Sequence, residues 1–194
     1  ASRMVVAAVH DMANEGQEID TATLKTAILR ANQQVLDASA GNSSYEGMGS
    51  TATVLHVDEH AGMVYYAHVG DSRLYLLRNG IFRQVSRDHS YVEELVARGE
   101  LSEAEAQHHP RKNLLLRAVG IEERLHVDGD FFPLEAGDRL LLATDGLTNM
   151  VDDDELAALL GGTFEGLAER MVKRALAGGG SDNITAIALA YEPS

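Results

Sequence analysis

The sequence has no cysteine in 194 residues. That excludes a disulfide scaffold, thiolate catalysis and any Cys-ligated zinc or iron–sulfur centre. It fits a reducing compartment, and a cytoplasmic location is expected. No run of 18 apolar residues occurs, so no membrane-spanning helix is expected, and the start carries no signal-peptide pattern. Basic residues are scarce: 16 Lys and Arg stand against 30 Asp and Glu, for a formal charge of −14. That balance argues against nucleic acid or anionic lipid as a partner. An initiator methionine is missing as well. The chain opens inside a helical apolar pattern, Met-Val-Val-Ala-Ala-Val, and reads as a fragment, a processed chain or a trimmed one. No Pro/Ser-rich linker or low-complexity tract divides it, so one domain over residues 1–194 is expected.

What is present suffices for a core, since 45% of the residues are hydrophobic and a chain of this length needs no staple. Met4, Val5, Ala8 and Met12 recur at helical spacing and predict a helix over roughly 2–14. Asp20 or Thr21 can cap a second helix whose buried face is Leu24, Ile28, Ala31 and Val35. From Gly49 the period changes. Residues 50–57, 63–69, 72–78 and 81–85 predict short strands joined by tight turns, with Asn79-Gly80 a strong hairpin signal. Connections this short predict antiparallel pairing. Helical spacing returns at Tyr91, Leu95 and Val96, and Ser102-Glu103-Ala104-Glu105 predicts a new helix start. Residues 108–120 read as an exposed flap and a short strand. Strands are expected near 125–131, 138–144 and 183–191, and helices at 152–160 and 164–177. Strands and helices fall in separate blocks, which predicts an α+β fold.

Three aspartates stand at predicted strand ends. Asp145 leaves the strand Arg139–Thr144 and enters Gly146-Leu147. Asp182 follows Gly178-Gly179-Gly180-Ser181 and precedes Ile184-Thr185-Ala186-Ile187. Asp71 sits in the connection between the strands at 63–69 and 72–78. Antiparallel pairing of the strands next to Asp145 and Asp182 would bring both carboxylates to one sheet edge, the way hard divalent cations are gathered. An aspartate beside glycine is also an ordinary turn residue, so spacing alone leaves both readings open.

Five motifs occur together and in order: Gly47-Met48-Gly49-Ser50-Thr51, His68-Val69-Gly70-Asp71-Ser72-Arg73, Ser86-Arg87-Asp88-His89-Ser90, Ala143-Thr144-Asp145-Gly146-Leu147 and Ser181-Asp182-Asn183-Ile184-Thr185. With them the chain resembles the bacterial metal-dependent protein phosphatases (the type 2C, or PPM, family). The resemblance implies an antiparallel β-sandwich flanked by helices and hydrolysis of phosphoserine and phosphothreonine in proteins by a metal-activated water. It implies two to three Mn²⁺ or Mg²⁺ ions as cofactors. Asp145 and Asp182 would be catalytic metal ligands, and Asp71 with Asp145 would hold an accessory ion. Residues 91–118 match the family's variable flap. Phosphoprotein substrates and a cognate Ser/Thr kinase system are the implied partners.

The chain departs from the family pattern at its start, where the phosphate-binding Arg and the metal-bridging Asp-Gly pair are not found. Three readings follow: the missing part belongs to the same gene product, the chain is a truncated phosphoesterase of altered specificity (mono-, di- or triesters), or it is a non-catalytic binding or regulatory remnant. Without two strands, a dimer or higher oligomer is expected. Other features are read as structural. Gly47-Met48-Gly49-Ser50-Thr51-Ala52 fits a dinucleotide fingerprint formally but precedes a strand. There is no G-x-S-x-G elbow that would make Ser72 a nucleophile. His108-His109 reads as surface, His68 and His89 as structural, Leu167, Met171 and Leu176 as core, and Asp152-Asp153-Asp154-Glu155 as a helix cap.

Overall fold

The structure, a computed structural model, describes residues 1–192. In chain order the elements are α1 (Ser2–Asn14), α2 (Thr21–Ala40), β1 (Ala52–Asp58), β2 (Met63–Val69), β3 (Arg73–Arg78), β4 (Ile81–Gln84), α3 (Tyr91–Ala97), α4 (Glu103–Gln107), β5 (Asp128–Pro133), β6 (Arg139–Ala143), α5 (Asp145–Thr148), α6 (Asp153–Gly161), α7 (Leu167–Ala177) and β7 (Ala186–Ala190). They form two compact units. The expected α+β class is what the structure contains, and no helix among the described residues is long and apolar enough to cross a membrane.

The first unit comprises Ala1–Asp71 and Asp88–Phe132. Its sheet runs β1-β2-β5, with β1 and β2 antiparallel from Ala52↔Val69 to Asp58↔Met63. Asp20 caps α2 by accepting the Thr23 N–H at 2.8 Å. The predicted helical stripes are the buried ones: Val5, Ala8 and Met12 on α1, with Leu24, Ile28, Ala31 and Val35 on α2. They pack with Ala52, Ala67, Val69, Val119 and Val127 into one apolar core. Fully burying each larger aliphatic side chain contributes about 1.5–3 kcal/mol.

The second unit comprises Ser72–Arg87 and the chain from Pro133 onward. Its sheet runs β4-β3-β6-β7, antiparallel throughout. The β3–β4 hairpin turns on Asn79 and Gly80, both at positive φ (+52° and +79°), as a type I′ turn requires. On the helical side, Tyr75, Leu141 and Ala143 meet Leu147, Leu156, Leu160, Leu167, Met171 and Ala175. Asp152 accepts the Glu155 N–H at 2.8 Å, so the acidic run caps α6 as expected.

Four expectations are corrected. The short link after β2 does not return as a paired neighbour: β2 and β3 belong to different sheets. Residues 108–120 form no strand, only two isolated bridges, Ser50↔Val119 and Ser90↔Leu115. On α7 the third buried position is Ala175, while Leu176 is 57% exposed. On α3 the buried residue is Val92, with Tyr91, Leu95 and Val96 only half-buried.

Candidate metal centre

The centre begins with strand pairing. Strands β6 and β7 are antiparallel, ending at Ala143↔Ala186. The exit of one therefore lies beside the entrance of the other, and Asp145 and Asp182 flank the same sheet end. One more backbone bond extends the ladder, from Thr144 N–H to Thr185 O at 3.1 Å. The Thr144 side chain then clasps the turn. Its hydroxyl donates to Asn183 O at 3.1 Å and accepts the Thr185 N–H at 2.9 Å.

Beyond Thr144 the chain enters α5, with Asp145 as its first residue and Gly146 and Leu147 buried. Gly146 is needed for close approach. A Cβ there would stand 2.4 Å from Asn183 O and 2.9 Å from Asn183 C, closer than real carbon–oxygen packing permits. Two devices thus hold α5 against the 182–185 turn: the Thr144 clasp and the bare Gly146 backbone. Sequence reasoning identified the aspartates but neither of these residues as part of the centre. The signal for Gly146 was the small residue directly after the acid.

Asp145 is half-buried and Asp182 exposed. Burial pushes the Asp145 carboxyl above its ordinary range, and the charge of Asp182 adds to the rise; backbone N–H groups at Gly146 and Asp145 and the charge of Arg73 oppose it. Two neighbouring carboxylates, one partly removed from water, disfavour double ionisation unless a cation joins them. The donors are hard oxygens without sulfur or imidazole, which suits Mg²⁺ or Mn²⁺. The pair therefore fits a divalent cation. Among the described residues no group of three or more His, Asp or Glu side chains gathers into a metal-ligating cluster. The pair supplies two carboxylate donors, short of the oxygen complement such a cation takes.

Asp71, the third predicted ligand, belongs to the first unit, whereas Asp145 and Asp182 belong to the second. It follows Gly70, whose φ is +110° and whose added Cβ would stand 2.4 Å from Thr51 Cγ2. That position admits only glycine in comfort. His68 and His89 are buried beside Gly70, their ring centroids 4.8 Å apart. His109 packs against the Tyr91 ring, 6.0 Å between centroids, and Arg111 lies over the same ring at 5.7 Å.

The chain matches the Protein phosphatase 2C family over residues 1–178. It is 40% identical over 195 aligned positions to a serine/threonine phosphatase of Listeria monocytogenes serotype 4b, covering 96% of this chain and 76% of that protein. Among solved structures, the serine/threonine phosphatase Stp1 of Staphylococcus aureus aligns at a TM-score of 0.92 with 33% identity, covering 99% of this chain and 77% of that one. The catalytic domain of the phosphatase PstP, in complex with two manganese ions, aligns at 0.86 with 31% identity, covering 98% and 80%.

Proposed function

Because the chain belongs to the protein phosphatase 2C family, we propose that it hydrolyses phosphoserine and phosphothreonine in proteins with Mn²⁺ or Mg²⁺, and that Asp145 and Asp182 hold a catalytic ion. The observation that carries the site assignment is the β6–β7 pairing, which sets the two carboxylates at one sheet end. Asp71, in the first unit, is assigned to an accessory ion.

When bound, the divalent ions screen the phosphate dianion and lower the pKa of a bound water, supplying the nucleophile for in-line hydrolysis. The chain's own residues prepare that chemistry. Asp145 and Asp182 offer negative charge at a fixed separation, set by the Thr144 clasp and the Gly146 contact. Arg73 opens β3 opposite Ala143, and its charge reaches Asp145, offsetting part of the pair's repulsion. The guanidinium is itself steadied by donating to Tyr75 Oη at 3.0 Å, which in turn donates to Asp153 at 3.2 Å. No side chain here is required to form a covalent phosphoenzyme, and the chain has no thiol for that route.

Phosphoproteins made by a Ser/Thr kinase are the substrates this reading implies, in a cytoplasmic setting that the lack of cysteine accords with. Self-association belongs to the proposal too. The outer strands β4 and β7 carry Ile81 (68% exposed) and Ile187 (54% exposed), an arrangement that invites edge pairing. Light scattering at 20.9 kDa would remove that part alone.

The deciding assay follows release of phosphate from a phosphothreonine peptide and from p-nitrophenyl phosphate, with Mn²⁺, Mg²⁺ or chelator. Turnover should require metal and be lost in Asp145→Ala and Asp182→Ala. Turnover indifferent to chelator would defeat the metal mechanism. A folded, metal-supplied chain without turnover would turn the reading toward a binding role.

A further inference from the structure

Gly70 is buried, beside a half-buried Asp71, and both ends of its backbone are held by histidines. Its N–H donates to Nδ1 of His89 at 3.2 Å. Its carbonyl accepts the His89 backbone N–H at 2.7 Å and the His68 Nε2–H at 3.1 Å. His68 is set in turn by Thr53, whose hydroxyl lies 3.0 Å from its Nδ1. The carbonyl of Gly70 forms half of the peptide plane that carries the Asp71 nitrogen and Cα. Two donors on that oxygen, together with the φ of +110° against Thr51, fix the plane from which the Asp71 side chain springs.

The clamp extends outward. Nδ1 of His89 accepts, so in the neutral ring the proton sits on Nε2. That atom is buried without a well-aligned hydrogen-bond partner, 3.2 Å from Asp128 Oδ2. Asp128 is paired on its other oxygen with Arg117 at 2.7 Å. The His89 backbone carbonyl accepts the Leu116 N–H at 2.8 Å. Leu116 and Asp128 are thereby tied to the peptide plane of Asp71 through His89, the first by its backbone and the second by its ring.

We propose that His89, backed by His68, is a positioning residue for Asp71: the two rings hold the Gly70–Asp71 peptide in the orientation that lets the Asp71 carboxylate bind a divalent cation. This rests on the assignment of Asp71 to an accessory ion. Neither ring touches the cation. Each acts through the glycine, much as outer hydrogen-bond partners orient metal ligands elsewhere, where their loss costs about 10- to 100-fold in affinity.

The test titrates the chain with Mn²⁺ alone, reading free ion by electron paramagnetic resonance, far below each variant's melting temperature. Asp71→Ala defines the Asp71-dependent site by the ion it removes. His89→Leu should weaken that same site about 10- to 100-fold while the remaining sites keep their affinity. His89→Asn, whose Oδ1 can stand where Nδ1 accepted, should restore it to within about threefold. A merely structural role predicts the opposite pattern: a lower melting temperature with Mn²⁺ affinity of the folded protein unchanged. That result in His89→Leu overturns the proposal while leaving Asp71 a ligand. If Asp71→Ala removes no ion, the ligand assignment fails first and the proposal with it. Should His89→Leu not fold, Thr53→Val, which removes the hydroxyl beside His68 Nδ1, must still weaken the Asp71-dependent site; unchanged affinity there refutes the clamp.

Discussion

Gly146→Ala is the sharpest perturbation of the proposed metal-binding pair, because it adds one methyl group and no charge. The new Cβ would stand 2.4 Å from Asn183 O and 3.3 Å from Ile184 Cγ1. Restoring a carbon–oxygen separation of about 3.0–3.4 Å requires roughly 0.6–1 Å of retreat. The nearer obstacle is backbone, pinned by Thr144 at Asn183 O and Thr185 N–H, so the displacement falls on the start of α5 and moves Asp145 away from Asp182. Overpacking of this size costs about 1–3 kcal/mol. Alanine regains about 1 kcal/mol of helix propensity over glycine. The net destabilisation is therefore about 0–2 kcal/mol, a fall of a few degrees in melting temperature for a domain of this size. Function should suffer more than stability, since a misplacement near 1 Å can lower turnover roughly 100-fold. Thermal unfolding, Mn²⁺ half-saturation and phosphopeptide turnover would be measured on the same preparation. A variant with unaltered metal affinity and turnover would refute the reasoning, showing that the separation of Asp145 and Asp182 does not depend on the bare backbone at Gly146.

Thr144→Val keeps the shape of the side chain but deletes both hydrogen bonds of the clasp, leaving the Thr185 N–H and Asn183 O to find water. A loss of about 1–3 kcal/mol is expected, with weaker Mn²⁺ binding, read by urea unfolding and metal titration. Arg78→Met should destabilise the second unit by roughly 3–5 kcal/mol. The guanidinium makes a two-pronged contact with Asp138, which is 1% exposed, at 2.8 and 2.6 Å, and a urea midpoint near that of the unaltered chain would count against it. Stability should fall as pH drops below about 6.5. Burial first, then the charge of Arg117, hold His89 below its ordinary value of 6.5, outweighing Asp128 and Asp88, so below that pH the unfolded chain takes up the proton more readily than the folded one. His89→Asn should flatten this slope in urea midpoints taken from pH 7.5 to 5.5, and an unchanged slope would assign the titration to another group.

Periodic elements were legible in the sequence because burial imposes its own repeat. The stripes on α1 and α2, the Asn79-Gly80 turn and the capped starts at Asp20, Ser102 and Asp152 each follow from local chemistry. The misreadings arise where the deciding contact is distant. Leu114-Leu115-Leu116 is apolar enough for a strand, yet Leu114 and Leu116 are 47% and 44% exposed, and the stretch forms isolated bridges at Leu115 and, beyond it, Val119 in place of a ladder. On the seven-residue α3 the period is too short to distinguish Val92 from its neighbours. Leu176 outranks Ala175 in hydropathy, but the helix turns Ala175 inward, into the apolar core with Leu167 and Met171. At Gly70 the φ of +110° turns the chain away from β2, so a three-residue link that looked like a hairpin delivers β3 to a different sheet.

The Asp145–Asp182 pair and the Asp71 turn differ in legibility for the same reason. Asp145 and Asp182 could be joined on paper because an antiparallel pair makes the exit of one strand the entrance of the next, and β6 and β7 obey that rule from Arg139↔Ala190 to Ala143↔Ala186. No such rule joins His68 to His89. They stand twenty-one residues apart, counted along the chain, and meet only because β2 and the loop before α3 converge on one glycine. Each histidine alone was a reasonable structural residue. Their shared grip on Gly70 gives that structural role a direction, toward the Asp71 carboxylate. A residue that fixes a peptide plane next to a proposed metal ligand acts on affinity and fold together, and only the Mn²⁺ titration of folded variants separates the two.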